Sequence, residues 1–186
     1  MNKNKILEDI YQKYAGRMLS ICKRYVVDEN LAMDLMQDAY IQIYNHLETF
    51  EDRGDGSMKA WMEKIAVNTC LQYLRKKDLL RNSKDLSMDN DAIFNNDNII
   101  EIDPFNTIED RVKIIPKEVL MNFIEKLPTG YRTVFNMYVF ENMSHKEIAL
   151  RLGIKEKSSS SQYFRAKKLL AKMILVYKQN NTEYYE

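Results

Sequence analysis

Between Asn82 and Pro116 the chain loses helical periodicity. The stretch is rich in Asp and Asn, contains Pro104, and scatters Ile93, Phe94, Ile99 and Ile100 without a stripe. A structureless connection of that length is out of place inside one compact domain. It predicts two separately folded blocks and a tether. Charge divides the chain at the same places. Residues 83–110 hold one basic and eight acidic residues, whereas 111–186 hold 14 basic and seven acidic. Residues 1–82 hold 13 basic and 12 acidic. The net charge of +1 thus conceals an acidic connector and a basic final block, which suggests three functional segments.

Both blocks are expected to be helical, giving an all-α protein. Only 5 Gly and 3 Pro stand among 186 residues, and no segment sustains strand alternation. Hydrophobic residues at 45% supply a core and argue against a wholly disordered chain. Two cysteines, Cys22 and Cys70, are too few for a disulfide scaffold; within helical patterns they are expected to be buried thiols. No apolar run approaches the roughly 20 residues of a membrane span. The amphipathic start lacks a signal-peptide core, so a soluble, cytoplasmic protein is expected, with no direct membrane insertion.

In the first block, residues 5–26 place Ile6, Ile10, Tyr14, Met18 and Ile21 on one stripe. Asp28 is a candidate N-cap for a second helix over 29–47, whose core stripe is Leu35, Ala39, Ile43 and Leu47. Asp34, Gln37, Asp38 and Ile41 fall on another face, with Tyr44 at its edge. Periodicity admits both a solvated surface and a protein-binding patch there. Gly54 and Gly56 mark a turn, after which Ser57 could cap a third helix over 58–81. That helix is expected to bury Trp61, Ile65 and Leu74 or their neighbours. Lys64, Asn68, Gln72 and Arg75 share its polar face. Its basic end suits either the helix dipole or a phosphate backbone.

The second block carries the more specific signal. Residues 117–127 and 131–141 predict two helices, the latter with Tyr131, Val134, Phe135 and Tyr138 facing inward. Ser144 and Glu147 then have capping-box spacing. Ile148, Ala149 and Leu152 offer a short packing face, and Gly153 suits a turn at positive φ. A longer helix follows over 157–177, with Ser158 as its expected cap. A short capped helix, a Gly turn and a longer helix form helix–turn–helix grammar. On the long helix Ser159, Tyr163, Ala166 and Leu170 follow the inward spacing. Lys157, Ser161, Phe164, Arg165 and Lys168 lie outward, where cations and hydroxyls suit phosphates and base edges. A solvated, Lys-rich face is the alternative, and the capped turn together with the basic block favours DNA binding. His145 is expected to be a surface residue.

Nothing points to an enzyme, a metal or a cofactor. His46 and His145 have no metal-ligand spacing around them, and no Gly-rich phosphate loop or nucleophile motif occurs.

Taken in order, these motifs resemble the small extracytoplasmic-function branch of the sigma-70 family of bacterial RNA polymerase sigma factors, over almost the whole chain. Residues 32–38, Ala-Met-Asp-Leu-Met-Gln-Asp, and 40–44, Tyr-Ile-Gln-Ile-Tyr, look like the family's clamp-binding helix. Residues 61–68, Trp-Met-Glu-Lys-Ile-Ala-Val-Asn, look like its promoter-melting segment. Glu147-Ile-Ala, Leu152-Gly-Ile, Ser161-Gln and Arg165-Ala-Lys look like its −35-reading helix–turn–helix. The resemblance implies a sigma-2-like domain over 1–82, an acidic linker over 83–116, a sigma-4-like domain over 117–178 and a polar tail over 179–186. It implies an initiation factor that joins core RNA polymerase through clamp and flap, and reads promoter DNA. An anti-sigma factor, membrane-anchored or free, would hold it in check.

The same resemblance implies residue roles. Asp34, Gln37 and Asp38 match clamp-contacting positions, with Ile41 and Tyr44 as neighbours. Asn68 matches an Asn near the pocket for an extruded −10 base, on the face shared with Lys64, Gln72 and Arg75. Ser160, Ser161, Phe164 and Arg165 match −35-facing positions, flanked by Lys157 and Lys168. Two departures stand out: Lys157 where Gly is common, and Ser160 where Lys or Arg is frequent. The competing reading is a stand-alone helix–turn–helix regulator, which leaves the face of residues 34–44 unexplained.

Overall fold

The computed structural model of the chain describes residues 3–77 and 115–180. Among them are seven α-helices, one short 3-10 turn and no strand. The chain divides after Lys77 into two compact units. Apart from its last two residues, the expected connector over 83–116 lies outside the described residues, as does the tail from residue 181 onward.

The first unit consists of three mutually packed helices, α1 (Lys3–Tyr25), α2 (Glu29–His46) and α3 (Ser57–Lys76). Asp28 caps α2 as expected: its Oδ1 accepts from the Leu31 amide at 2.7 Å. Leu47, expected as the last core residue of α2, instead opens the 3-10 turn Leu47–Thr49. The core joins Met18, Ile21 and Tyr25 to Ala32, Leu35, Ala39 and Ile43, and to Met62, Val67, Leu71 and Leu74. Each large apolar side chain so buried contributes about 1.5–3 kcal/mol.

On α3 the expected burial falls on Leu74 and on the neighbours of Trp61 and Ile65, and the expected Ser57 cap is corrected. The buried face of the helix is Met62, Ala66, Val67, Thr69, Cys70, Leu71 and Leu74, while Trp61 and Ile65 are only half-buried. Both α1 and α2 pack on α3, which widens its buried face, and Trp61 is left at the margin against Phe50 with ring centroids 5.0 Å apart. Ser57 is the first helical residue, not the cap. Gly56 takes the cap position at φ 84° without a side-chain bond, and the Ser57 hydroxyl donates to Asp52 Oδ1 at 2.8 Å. Cys22 and Cys70 are free, buried thiols that meet between α1 and α3. The hydrogen bond with Cys22, together with burial, holds the Cys70 thiol far above the usual range.

The second unit contains α4 (Lys117–Glu125), α5 (Thr129–Val139), α6 (His145–Leu152) and α7 (Glu156–Asn180). The long α7 is the spine. Ile115 and Phe123 pack against its Ile174, and Leu127 and Tyr131 against its Ala166. Arg132 is buried, and its guanidinium donates to the carbonyls of Glu125 and Leu127 at 2.8 and 3.0 Å. It thereby satisfies carbonyls at the end of α4 that the helix itself leaves open. Burial pulls its pKa below the usual arginine range.

Candidate nucleic-acid and protein interfaces

The turn between α6 and α7 is built by local chemistry. Ser144 Oγ accepts from the Glu147 amide at 3.3 Å, and the Glu147 carboxylate accepts from the Ser144 amide at 2.8 Å. Both halves of the capping box are therefore present. The Ser144 hydroxyl, which also donates to the Glu147 carboxylate at 2.7 Å, and the Ser144 amide hold the Glu147 carboxyl below its ordinary range. Gly153 ends α6 at φ 66°, in the left-handed region that glycine occupies without steric cost. The Ile154 amide closes the turn on the Ala149 carbonyl at 3.1 Å. Helix α7 then starts at Glu156, with the Lys155 carbonyl accepting from the amides of Ser158 and Ser159. Ser158 consequently lies in the first turn, not at the cap where it was expected.

On α7, Lys157, Ser160 and Ser161 are exposed, and Phe164 is exposed at 64% although apolar. Arg165 and Lys168 are half-buried. The Arg165 guanidinium donates to the Tyr131 hydroxyl at 3.3 Å, so α5 steadies its position. The opposite stripe places Ser159 and Ala166 in the core and leaves Tyr163 and Leu170 half-buried. Tyr138, expected to face inward, is 38% exposed but lays its ring against Tyr163 at 4.4 Å. His145, expected at the surface, is half-buried beside Ser159.

In the first unit, Asp34, Gln37 and Asp38 are exposed on α2, and Ile41 is exposed at 59%. An aliphatic side chain this open, one turn beyond Asp38 and two beyond Asp34, puts an apolar patch next to an acidic one on the same face. Tyr44 is half-buried beneath the Lys3 ammonium, which lies 4.4 Å from its ring centroid. Tyr40, within the same run, belongs to the core. Its ring meets that of Tyr11 at 4.9 Å, and burial raises its hydroxyl to about 12. On α3, Lys64, Gln72 and Arg75 are exposed and Asn68 is half-buried. Thr69 beside it is buried and accepts from Gln42 Nε2 at 3.0 Å, tying the α3 polar face to α2.

The first unit thus carries two candidate faces and the second unit one. The α2 face and the α3 polar face stand on a shared three-helix core, and the α7 face follows a capped turn. Sequence reasoning alone did not find the Tyr131–Arg165 contact or the His145–Ser159 contact. Both link residues from different helices, and nothing in local spacing marks them.

Comparison with known proteins agrees with this geometry. Residues 10–79 match the family described as Sigma-70 region 2, and residues 117–170 match Sigma-70, region 4. The chain is similar to the ECF RNA polymerase sigma factor SigM of Bacillus subtilis, at 26% identity over 88% of this chain and 92% of that protein. It is also similar to the RNA polymerase sigma-H factor of Pseudomonas aeruginosa, at 27% identity over 87% and 82% of the two chains. The ECF RNA polymerase sigma-E factor of Escherichia coli K12 is 27% identical over 85% of this chain and 81% of its own. With both sigma-70 regions present in order on a two-unit helical fold, the chain belongs to the extracytoplasmic-function branch of the sigma-70 family.

Proposed function

We propose that the chain is a transcription initiation factor that binds core RNA polymerase and directs it to promoters. It reads the −35 element with the second unit and opens the −10 element with the first. The observation that carries this reading is the occurrence of both sigma-70 regions, in order, in one chain. A stand-alone helix–turn–helix regulator needs only the second.

The residue roles follow from chemistry. The α2 face of Asp34, Gln37, Asp38, Ile41 and Tyr44 engages the polymerase clamp, its carboxylates meeting basic partners beside the exposed Ile41. On α3, Asn68 holds a base extruded from the −10 element, while Lys64 and Arg75 approach the backbone and Gln72 lies on the same face. Extruding a base costs a few kcal/mol, so a site that captures it favours local melting. On α7, Ser160, Ser161, Phe164 and Arg165 face bases. Lys157 and Lys168 touch phosphates, which position the helix without reading sequence. The segment over 83–116, with its acidic excess, occupies a basic channel of polymerase, and the second unit meets the flap. The protein acts in the cytoplasm, restrained by an anti-sigma factor, and performs no catalysis of its own. Among the described residues, no helix is long and apolar enough to cross a membrane.

The test is transcription reconstituted from the purified chain, core polymerase and a promoter library randomised at both elements. Enrichment of templates sharing a −35 and a −10 sequence, dependent on both protein components, is the expected result. Specific binding to one DNA site without core-dependent transcripts would establish the stand-alone regulator instead.

A further inference from the structure

Three helices of the second unit converge on His145. It is the first residue of α6, directly after the capping Ser144, so its backbone is fixed by the capping box. Its Nδ1 lies 3.0 Å from the hydroxyl of Ser159 on α7, and Ser159 is 0% exposed. Its ring stacks on Tyr138 of α5, with centroids 4.7 Å apart and planes 20° from parallel. It also meets Tyr163 of α7 at 5.6 Å. Ser159 and Tyr163 are one helical turn apart on the same stripe.

We infer that His145 is a positioning residue for −35 reading: by gripping Ser159 and Tyr163 it fixes the roll of α7 about its own axis. The inference rests on α7 being the −35-reading helix. The other residues on that stripe cannot fix the roll as tightly. Ala166 is small, and apolar packing is non-directional, so it sets how closely α7 approaches without setting its rotation. A hydrogen bond is directional and weakens steeply outside a narrow range of length and angle. The consequence on the opposite face is large. A roll of about 20° sweeps a side-chain tip about 6 Å from the helix axis through about 2 Å. That displacement exceeds the tolerance of a base-edge hydrogen bond, and it would move Ser160, Ser161, Phe164 and Arg165 together.

The effect is separable from folding. Without His145, the Ser159 hydroxyl can bond back to the carbonyl of residue 155, four positions earlier, a familiar accommodation for a helical serine. His145→Phe keeps a flat ring against Tyr138 and deletes Nδ1. His145→Asn restores a polar atom near the Nδ1 position and deletes the ring. Holoenzymes reconstituted with each variant and with Ser159→Ala are compared on a −35 library bearing a constant −10 element, alongside thermal unfolding of the free chains.

His145→Phe and Ser159→Ala are each expected to remain folded. Each should reduce the preference for the best −35 sequence over its single-base variants by about tenfold, the size of one lost base contact. The double variant should be no worse than either single one, and His145→Asn should regain most of the preference. Unchanged preference in Ser159→Ala, whose missing hydroxyl leaves the fold intact, overturns the inference even if His145→Phe fails to fold. Failure of His145→Asn to recover preference, with lowered thermal stability in every His145 variant, overturns it too and leaves His145 as ordinary packing. Absence of core-dependent transcription from the unsubstituted chain removes the initiation-factor reading itself, and this inference with it.

Discussion

Arg165 and Lys168 share α7 and a half-buried setting, yet their surroundings separate their roles. Arg165 is held by the Tyr131 hydroxyl at 3.3 Å, which limits the orientations of its planar fork. A guanidinium so pre-oriented suits bidentate bonding to a guanine edge, worth about 1–3 kcal/mol of discrimination. Arg165→Ala is therefore expected to relax preference at one −35 position. Lys168→Ala should weaken all sequences alike and lower the slope of log affinity against log salt by about one. Binding of the two variants to a −35 library at several salt concentrations distinguishes them. A uniform loss in Arg165→Ala would make Arg165 a phosphate contact. On α3, half-buried Asn68 is expected to act after docking. Asn68→Ala should slow strand opening more than it weakens duplex binding, as measured by permanganate reactivity of unpaired thymines. Normal opening would leave Asn68 as a polar surface residue.

At the scale of the element, the α6–α7 turn depends on two local devices, each testable by itself. Gly153 sits at φ 66°, and a Cβ there would meet nothing within 4 Å. The cost of Gly153→Ala is thus backbone strain alone, about 1–2 kcal/mol, and Gly153→Asn should cost less because Asn tolerates this region better. Thermal unfolding of the chain reads both, and equal stability of the three proteins would contradict the strain account. The capping box adds a pH dependence. The Ser144 hydroxyl and amide hold Glu147 below its ordinary value of 4.5, so the folded state favours the carboxylate. Its contribution is complete above that ordinary value and disappears as pH falls through the lower folded value. The stability gap between the natural chain and Glu147→Gln should accordingly be open at neutral pH and close in acid. A constant gap across that range would assign the cap to Ser144 alone.

Over the whole molecule, charge is distributed by task. The exposed carboxylates Asp34 and Asp38 precede Ile41 along one helix face of the first unit, while the basic excess lies in the last block. Asp34→Arg combined with Asp38→Arg is expected to abolish capture of core polymerase with thermal stability nearly unchanged, since substitutions away from cores and caps usually shift it by about 0.5 kcal/mol or less. DNA binding by the second unit should survive in the same variant. Undiminished capture of core by the folded double variant would remove the α2 face from the polymerase interface.

What was legible in the sequence is what short-range physics sets. The Leu35–Ala39–Ile43 stripe, the Asp28 cap, the Ser144–Glu147 box and the Gly153 turn all depend on residues within a few positions of one another, and each stands where spacing predicts it. Charge blocks and the ordered motifs likewise carried the family assignment, because they are properties of the string itself. What spacing leaves open is mostly decided by neighbours from elsewhere in the chain. Spacing left open whether Trp61 and Ile65 or their neighbours are buried, and packing by both α1 and α2 settles it on Met62 and Ala66. The misplaced Ser57 cap is the local exception, since the adjacent Gly56 takes the cap position at positive φ. His145 and Ser159 lie fourteen residues apart, and Tyr131 and Arg165 thirty-four. Periodicity assigns each residue to a face of its own helix. Which helix covers that face, and at what rotation, is decided only when the helices pack.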